Sequence, residues 1–224
     1  MNIKGAIFDM DGTLVDSMFM WYGLGNIYVE KRGREPKPGL GDILSRMSMR
    51  QAAEHLKEVY GFEESPEELI KDIYRVMEEF YLNEVEEKPG IRKVLDELKE
   101  AGIPMCVASA TDSYMIEYAL QRVGIREYFQ SIFCCRQVGE GKHSDKIYQV
   151  ARESLGTKVE ETLVFEDALH AAETAKRAGF PLVAVWDESE PEQEKMKELG
   201  TIYLENYDQW PGIKFSCAAE EKHV

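Results

Sequence analysis

The chain has 224 residues, of which 44% are hydrophobic, and its 42 Asp and Glu outnumber its 27 Lys and Arg to give a formal net charge of −15. That length and apolar share suit one large domain, or a core domain with a smaller insertion. The acidic balance argues against a nucleic-acid-binding face and an anionic membrane surface, and an anionic ligand would need local positive charge at its site, such as a bound divalent cation.

The N-terminus reads as a short apolar strand, Ile3 to Phe8, running into Asp9-Met10-Asp11-Gly12 and a turn. It lacks the pattern of a signal peptide. From Ser17 to Glu87 no strand is evident. Residues 18–32, 40–60 and 66–85 read as helices, and Ser65 with Glu68 and Pro66 form a helix-start signature. After Pro89-Gly90 the rhythm changes. Helices are predicted over 91–101, 113–123, 145–155, 168–178 and 190–199. Strands are predicted over 103–108, 131–135, 162–165, 182–186 and 201–204, and Gly follows most of the helices. Residues 206–224 show no periodicity and read as loose. No apolar run approaches the roughly 20 residues of a membrane helix.

Near-continuous apolar strands alternating with helices predict an α/β fold: a Rossmann-like parallel sheet with helices on both faces. The all-helical stretch interrupts it, which predicts a catalytic core of residues 1–16 and 88–224 and an inserted helical cap of residues 17–87. The two junctions should lie side by side and could act as a hinge. Cys106, Cys134, Cys135 and Cys217 show no CxxC spacing and read as reduced thiols of a cytoplasmic protein. Adjacent Cys134 and Cys135 should point to opposite faces of a strand.

In open parallel sheets, ligands bind beyond the carboxyl ends of the strands. Four segments place polar residues there. Asp9 and Asp11 follow the first strand, where a divalent cation would satisfy both, and Gly12 would let the turn present N–H groups to a phosphate. Ser109, with the N–H groups around Ala110, could bind phosphoryl oxygens. Lys142, between Gly141 and a helix start, could neutralise charge. Glu166 and Asp167 could cap the helix after them or complete an oxygen shell for magnesium. Each has an ordinary alternative: an Asp-Gly turn, a helix cap at Ser109, Thr111 or Asp112, a solvated lysine. Their succession at strand ends of one sheet is the stronger signal. In the cap, Arg46 and Arg50 share a helix face and could hold a substrate anion. Met18 to Tyr22 form an apolar run, read as core packing or as a substrate-facing wall.

Asp9-Met10-Asp11-Gly12-Thr13-Leu14-Val15-Asp16-Ser17, with Ser109, Lys142 and Glu166-Asp167, resembles the first and later motifs of the haloacid dehalogenase-like hydrolase superfamily over residues 3–204. The helical insertion is similar to that of its phosphoglycolate phosphatase and beta-phosphoglucomutase group. The resemblance implies a Mg2+-dependent phosphatase. Asp9 would be the nucleophile and Asp11 the general acid/base, its main-chain carbonyl binding the metal. Gly12, Thr13, Ser109, Ala110, Lys142 and Arg50 would bind substrate, and Asp9, Asp11, Glu166 and Asp167 would form the metal set. It implies a small phosphorylated metabolite as substrate; the acidic balance predicts no nucleic-acid or membrane partner, and a monomer or weak homodimer is expected.

The pattern departs from the family in places. His143-Ser144-Asp145-Lys146 replaces the usual Pro-x-Pro-Asp, which leaves Lys146 as a second candidate lysine. Ala168 and Ala171 stand for the usual Ser and Gly. Trp21 occupies the place of the mutase His, and Met49, beside Arg50, that of the mutase Arg. A sugar-phosphate mutase is the alternative, and a non-catalytic phosphoacceptor module a more remote one.

Overall fold

The computed structural model describes residues 2–44 and 47–212. Its first elements are strands β1 (Gly5–Phe8) and β2 (Val15–Asp16), followed by helices α1 (Met18–Lys31), α2 (Leu40–Leu44), α3 (Met49–Tyr60) and α4 (Pro66–Asn83). Then come β3 (Glu86–Glu87), α5 (Ile91–Glu100), β4 (Met105–Ser109), α6 (Ser113–Arg122), β5 (Phe129–Cys134), α7 (Cys135–Val138) and α8 (Lys146–Leu155). The chain continues through β6 (Thr162–Glu166), α9 (Leu169–Arg177), β7 (Leu182–Val185), α10 (Gln193–Leu199) and β8 (Ile202–Leu204).

Six strands form one parallel sheet in the order β5-β4-β1-β6-β7-β8. Parallel neighbours need crossover connections, which the intervening helices supply. Packing divides the chain into two compact units, residues 1–16 with 86–224, and residues 17–85. Glu86 and Glu87 belong to the sheet-bearing unit because β3 pairs antiparallel with β2, Asp16 opposite Glu86 and Val15 opposite Glu87. The sequence reading assigned no strand to these four residues.

The sheet core decides where the first carboxylates point. All four residues of β1 are buried. Successive side chains alternate between faces. Ile7, Cys106, Val164 and Leu182 pack with Ile147, Tyr148 and Ala151 of α8 and with Ala172 and Ala175 of α9. Phe8 faces the other way, stacked on Phe165 at 4.1 Å and edge-on to Phe129 at 5.8 Å. Each such apolar side chain contributes about 1.5–3 kcal/mol when fully buried. Asp9 and Glu166, two residues beyond Ile7 and Val164, therefore continue on the Tyr148 face.

The helical unit shows one difference from the predicted elements. Residues 40–60 are two helices, because the Ser48 side chain accepts the Gln51 N–H in a capping box that starts α3 afresh. The same device at Ser65 and Glu68 starts α4, with Pro66 at its first position. Leu69, Ile73, Val76, Met77 and Phe80 form the buried stripe of α4. Met20 is buried, Phe19 and Tyr22 are exposed, and Trp21 Nε1 donates to Tyr81 Oη at 2.9 Å. Met18, Trp21, Tyr22, Met49, Leu56 and Ile73 line an apolar cavity of about 340 Å³ inside this unit.

Two expectations about the sheet-bearing unit are corrected. Cys134 ends β5 and Cys135 opens α7, so the pair does not share a strand. The described part of the tail is packed: Tyr207 and Trp210 are buried. Cys106, Cys134 and Cys135 are free thiols, while Cys217 and residues 213–224 lie outside the described residues. Among the described residues no helix is long and apolar enough to cross a membrane.

Candidate active site

Asp9 extends the β1 ladder by one residue, its N–H donating to Phe165 C=O at 3.0 Å. The chain then folds back at once. The N–H groups of Leu14 and Val15 both donate to Met10 C=O, at 2.8 and 3.0 Å. Gly12 takes φ +76°, a conformation that strains any residue with a side chain. Its N–H donates to Val15 C=O at 2.9 Å, and that of Thr13 to Met10 C=O at 3.3 Å. In this conformation the N–H groups of Gly12 and Thr13 are taken by carbonyls of the loop itself. Both residues shape the loop, and the Thr13 hydroxyl donates to Asp167 Oδ1 at 2.8 Å.

At the carboxyl ends of β1 and β6 the buried carboxylates of Asp9, Glu166 and Asp167 converge, one oxygen from each lying within 4.8 Å of the others. The loop after α7 brings in Lys142, whose Nζ is 2.6 Å from both Asp9 Oδ1 and Glu166 Oε1. The approach to Asp9 is an ion pair without hydrogen-bond angles. Lys142 is buried, whereas Lys146 is exposed and pairs with Glu140 at 3.0 Å. Only Lys142 of the two candidate lysines joins the cluster. Tyr148 Oη donates to the same Glu166 Oε1 at 2.6 Å, and Glu166 Oε2 is buried without a hydrogen-bond partner. Neither Glu166 nor Asp167 caps α9. Its N-cap residue, Ala168, makes no side-chain cap, and the Leu169 N–H donates to Glu190 Oε2 at 2.9 Å.

Three carboxylates against one ammonium leave excess negative charge in a water-poor site. Burial, then the Glu166 charge, raises the Asp9 carboxyl from 3.8 to about 7, with Lys142 opposing. Burial, then Asp9 and Glu166, pushes Asp167 well above the usual carboxylate range. Burial works to lower the Lys142 ammonium, but Asp9 and Glu166 outweigh it and hold it above its ordinary value. A buried oxygen without a partner beside two more carboxylates is costly unless a cation joins them. The all-oxygen donor set fits a hard divalent ion such as magnesium. Asp9, Glu166 and Asp167 could hold it with side chains. The Asp11 carboxylate is not in that cluster and instead accepts the Thr111 hydroxyl at 2.6 Å.

Ser109 is buried at the end of β4, next to β1, and its Oγ accepts the Thr111 N–H at 3.1 Å. Ala110 is exposed at the same edge. Thr111 thus serves Asp11, and Asp112 opens α6 without a side-chain cap. Arg50 lies on α3 of the helical unit, exposed and paired with Glu67 at 2.7 Å and Glu54 at 3.3 Å. Arg46 lies outside the described residues. His143 and His170 are exposed. Sequence reasoning missed Tyr148 and weighed Thr111 only as a helix cap. A buried Tyr on the apolar stripe of α8 gives no signal of which carboxylate its hydroxyl meets.

Comparison with known proteins gives consistent matches. The family model for haloacid dehalogenase-like hydrolases matches residues 6–185. A phosphorylated carbohydrates phosphatase of Thermotoga maritima is 26% identical over 90% of this chain and 94% of its own length. A phosphoglycolate phosphatase of Rhodobacter capsulatus is 31% identical over 79% of this chain and 81% of its own. A solved Thermotoga maritima structure, provisionally described as a beta-phosphoglucomutase, superposes with a TM-score of 0.80 at 26% identity, covering 92% of this chain and 95% of that one.

Proposed function

The chain belongs to the haloacid dehalogenase-like hydrolase family and is a hydrolase acting on phosphoric monoesters; from that premise we propose that it is a magnesium-dependent phosphatase of a small phosphorylated metabolite, working through an aspartyl-phosphate on Asp9. The observation that carries the reading is the buried cluster of Asp9, Glu166 and Asp167 around Lys142, with Glu166 Oε2 unpartnered. Magnesium held by those carboxylates would supply positive charge to the phosphoryl oxygens and keep Asp9 ionised.

The chain's own residues would do the rest. A carboxylate oxygen of Asp9 forms a bond to phosphorus as the bond to the substrate alkoxide breaks. Asp11 gives its proton to that leaving oxygen, oriented by the Thr111 hydroxyl. Water then attacks phosphorus, Asp11 takes up its proton, and the bond to Asp9 breaks to release phosphate. Lys142 offsets the charge of Asp9 and of the transferred group, and Ser109 contributes a hydroxyl at the same sheet edge.

The printed names of the relatives, a phosphoglycolate phosphatase and a phosphorylated carbohydrates phosphatase, support a small metabolite as substrate. A sugar-phosphate mutase is the second reading, favoured by the likeness to the Thermotoga maritima structure. Trp21 stands against it, because an indole cannot accept a proton as the mutase His would, and its N–H is engaged by Tyr81. The test is turnover of p-nitrophenyl phosphate and a panel of phosphorylated metabolites in magnesium, followed by phosphorus NMR. Asp9→Asn is expected to abolish turnover, with inorganic phosphate as the wild-type product. Full activity of Asp9→Asn would defeat the nucleophile assignment, and an isomerised phosphoester as product would select the mutase.

A further inference from the structure

The match to the family model ends at residue 185, yet one buried side chain beyond it reaches the catalytic loop. After β8, Tyr207–Gln209 form a single tight turn. The Asn206 side chain accepts the Asp208 N–H at 3.1 Å, and the Gln209 side chain accepts the Glu205 N–H at 3.0 Å. Trp210 anchors the far end, its ring 5.6 Å from that of Phe165 and its Nε1 donating to Glu97 Oε2 at 2.9 Å. Tyr207 is held between these ties at 1% exposure, and its Oη donates to Thr13 C=O at 3.0 Å. Gly90, at φ +83°, lets the backbone pass so close that a β-carbon there would meet Tyr207 Cβ at 3.1 Å.

We propose that Tyr207 is a positioning residue for the magnesium site: by holding the Thr13 carbonyl it fixes the peptide whose hydroxyl engages Asp167 Oδ1. The path is continuous and short, from the Tyr207 hydroxyl to the Thr13 carbonyl, through that one residue to its hydroxyl, and on to Asp167 at 2.8 Å. A carboxylate with one oxygen engaged has its plane set before a metal arrives, and such supporting hydrogen bonds tune metal affinity. Elsewhere the loop is closed by its short-range turn bonds to Met10 and Val15, and its far end is tied down by the Lys88 N–H, which donates to Leu14 C=O at 2.9 Å. Burial, then the charges of Asp167 and Asp9, raises the Tyr207 phenol, so it remains a proton donor throughout the working range.

The inference rests on reading Asp167 as a magnesium ligand, so the experiment separates the two. Magnesium binding to the full chain is measured by titration calorimetry for wild type, Tyr207→Phe, Thr13→Val, the double variant and Asp167→Asn. Turnover of p-nitrophenyl phosphate is followed against magnesium concentration in parallel. Tyr207→Phe is expected to weaken magnesium about tenfold, at the low end of what supporting partners show, with kcat at saturating magnesium within about twofold of wild type. In the Thr13→Val background the same change should have no further effect, because the relay is already cut. An unchanged magnesium constant in Tyr207→Phe, or additive losses in the double variant, would overturn the inference, and so would a lowered melting temperature with normal metal binding. If Asp167→Asn binds magnesium as wild type does, the metal reading itself fails instead. Should Tyr207→Phe not fold, Thr13→Val against Thr13→Ser decides: only Val should weaken the metal, and equal binding by the two would overturn the relay.

Discussion

Removing the charge of Asp9 should stabilise the metal-free protein, increasingly as pH rises above about 4 and fully at neutral and alkaline pH. In the folded chain burial and Glu166 raise this carboxyl from 3.8 to about 7. Below 3.8 both folded and unfolded chains carry the proton and the group contributes no difference. Between 3.8 and about 7 the unfolded chain releases the proton while the folded chain retains it, so stability falls as pH rises, and the loss is complete above about 7. At about 1.4 kcal/mol per tenfold change in proton affinity, the full penalty is bounded by about 4 kcal/mol. That bound already includes the attraction of Lys142, which opposes the rise. Asp9→Asn keeps the shape and cannot ionise. In EDTA at pH 8 it should be about 2–4 kcal/mol more stable than wild type in urea or guanidinium unfolding, or roughly 4–16 °C higher in melting temperature for a chain of this size. At pH 4 the two should coincide. Saturating magnesium should narrow or reverse the order, because wild type gains about 2.7 kcal/mol at a hundred times its dissociation constant. An Asp9→Asn protein less stable than wild type in EDTA at pH 8, or a difference independent of pH, would refute the electrostatic account of the cluster.

Three further outcomes follow from individual contacts. Lys142→Met should lower turnover of p-nitrophenyl phosphate about 10²–10³-fold, whereas Lys146→Met, which breaks only the exposed pair with Glu140, should stay within about twofold; comparable losses in both would refute the assignment of the lysine. Tyr148→Phe removes one of the two donors on Glu166 Oε1 and should weaken magnesium about tenfold in a calorimetric titration, with the fold intact by circular dichroism. Gly90→Ala places a methyl at φ +83° and 3.1 Å from Tyr207 Cβ, and should cost about 1–3 kcal/mol in denaturant unfolding; no loss would mean that the close approach is relieved by a small backbone shift.

Local patterns in the chain carried the architecture. The apolar strands β1, β4, β6 and β7 stand out because strands buried on both faces must be continuously hydrophobic. The Ser65-Glu68 capping box and the glycines after helices announce helix ends through interactions three or four residues long. The exceptions are informative. Residues 40–60 read as one helix, and the Ser48 capping box that starts α3 afresh shows itself only in the structure. β2 and β3 are two residues each and exist only because they meet across the helical insertion.

The candidate site divides along the same line. Asp9, Glu166 and Asp167 were legible as candidates because they recur at successive strand ends of one sheet, and Asp11 through the motif it shares with Asp9, although its carboxylate lies outside their cluster. The reading favoured Lys142 but kept Lys146 open, since both lie near one helix start; burial and the 2.6 Å approaches to Asp9 and Glu166 distinguish them. The partners that aim the carboxylates were beyond reach of sequence: Tyr148 meets Glu166 across 18 residues, Thr111 meets Asp11 across 100, and Tyr207 meets Thr13 across 194. The sequence by itself determined the family of fold and marked the candidate acids, because strand hydrophobicity, helix signals and motifs are short-range. Which oxygen of each acid is occupied, and by which hydroxyl or ammonium, was decided only when the sheet brought distant segments to one edge, because a hydrogen bond depends on separations of about 3 Å that no spacing along the chain encodes.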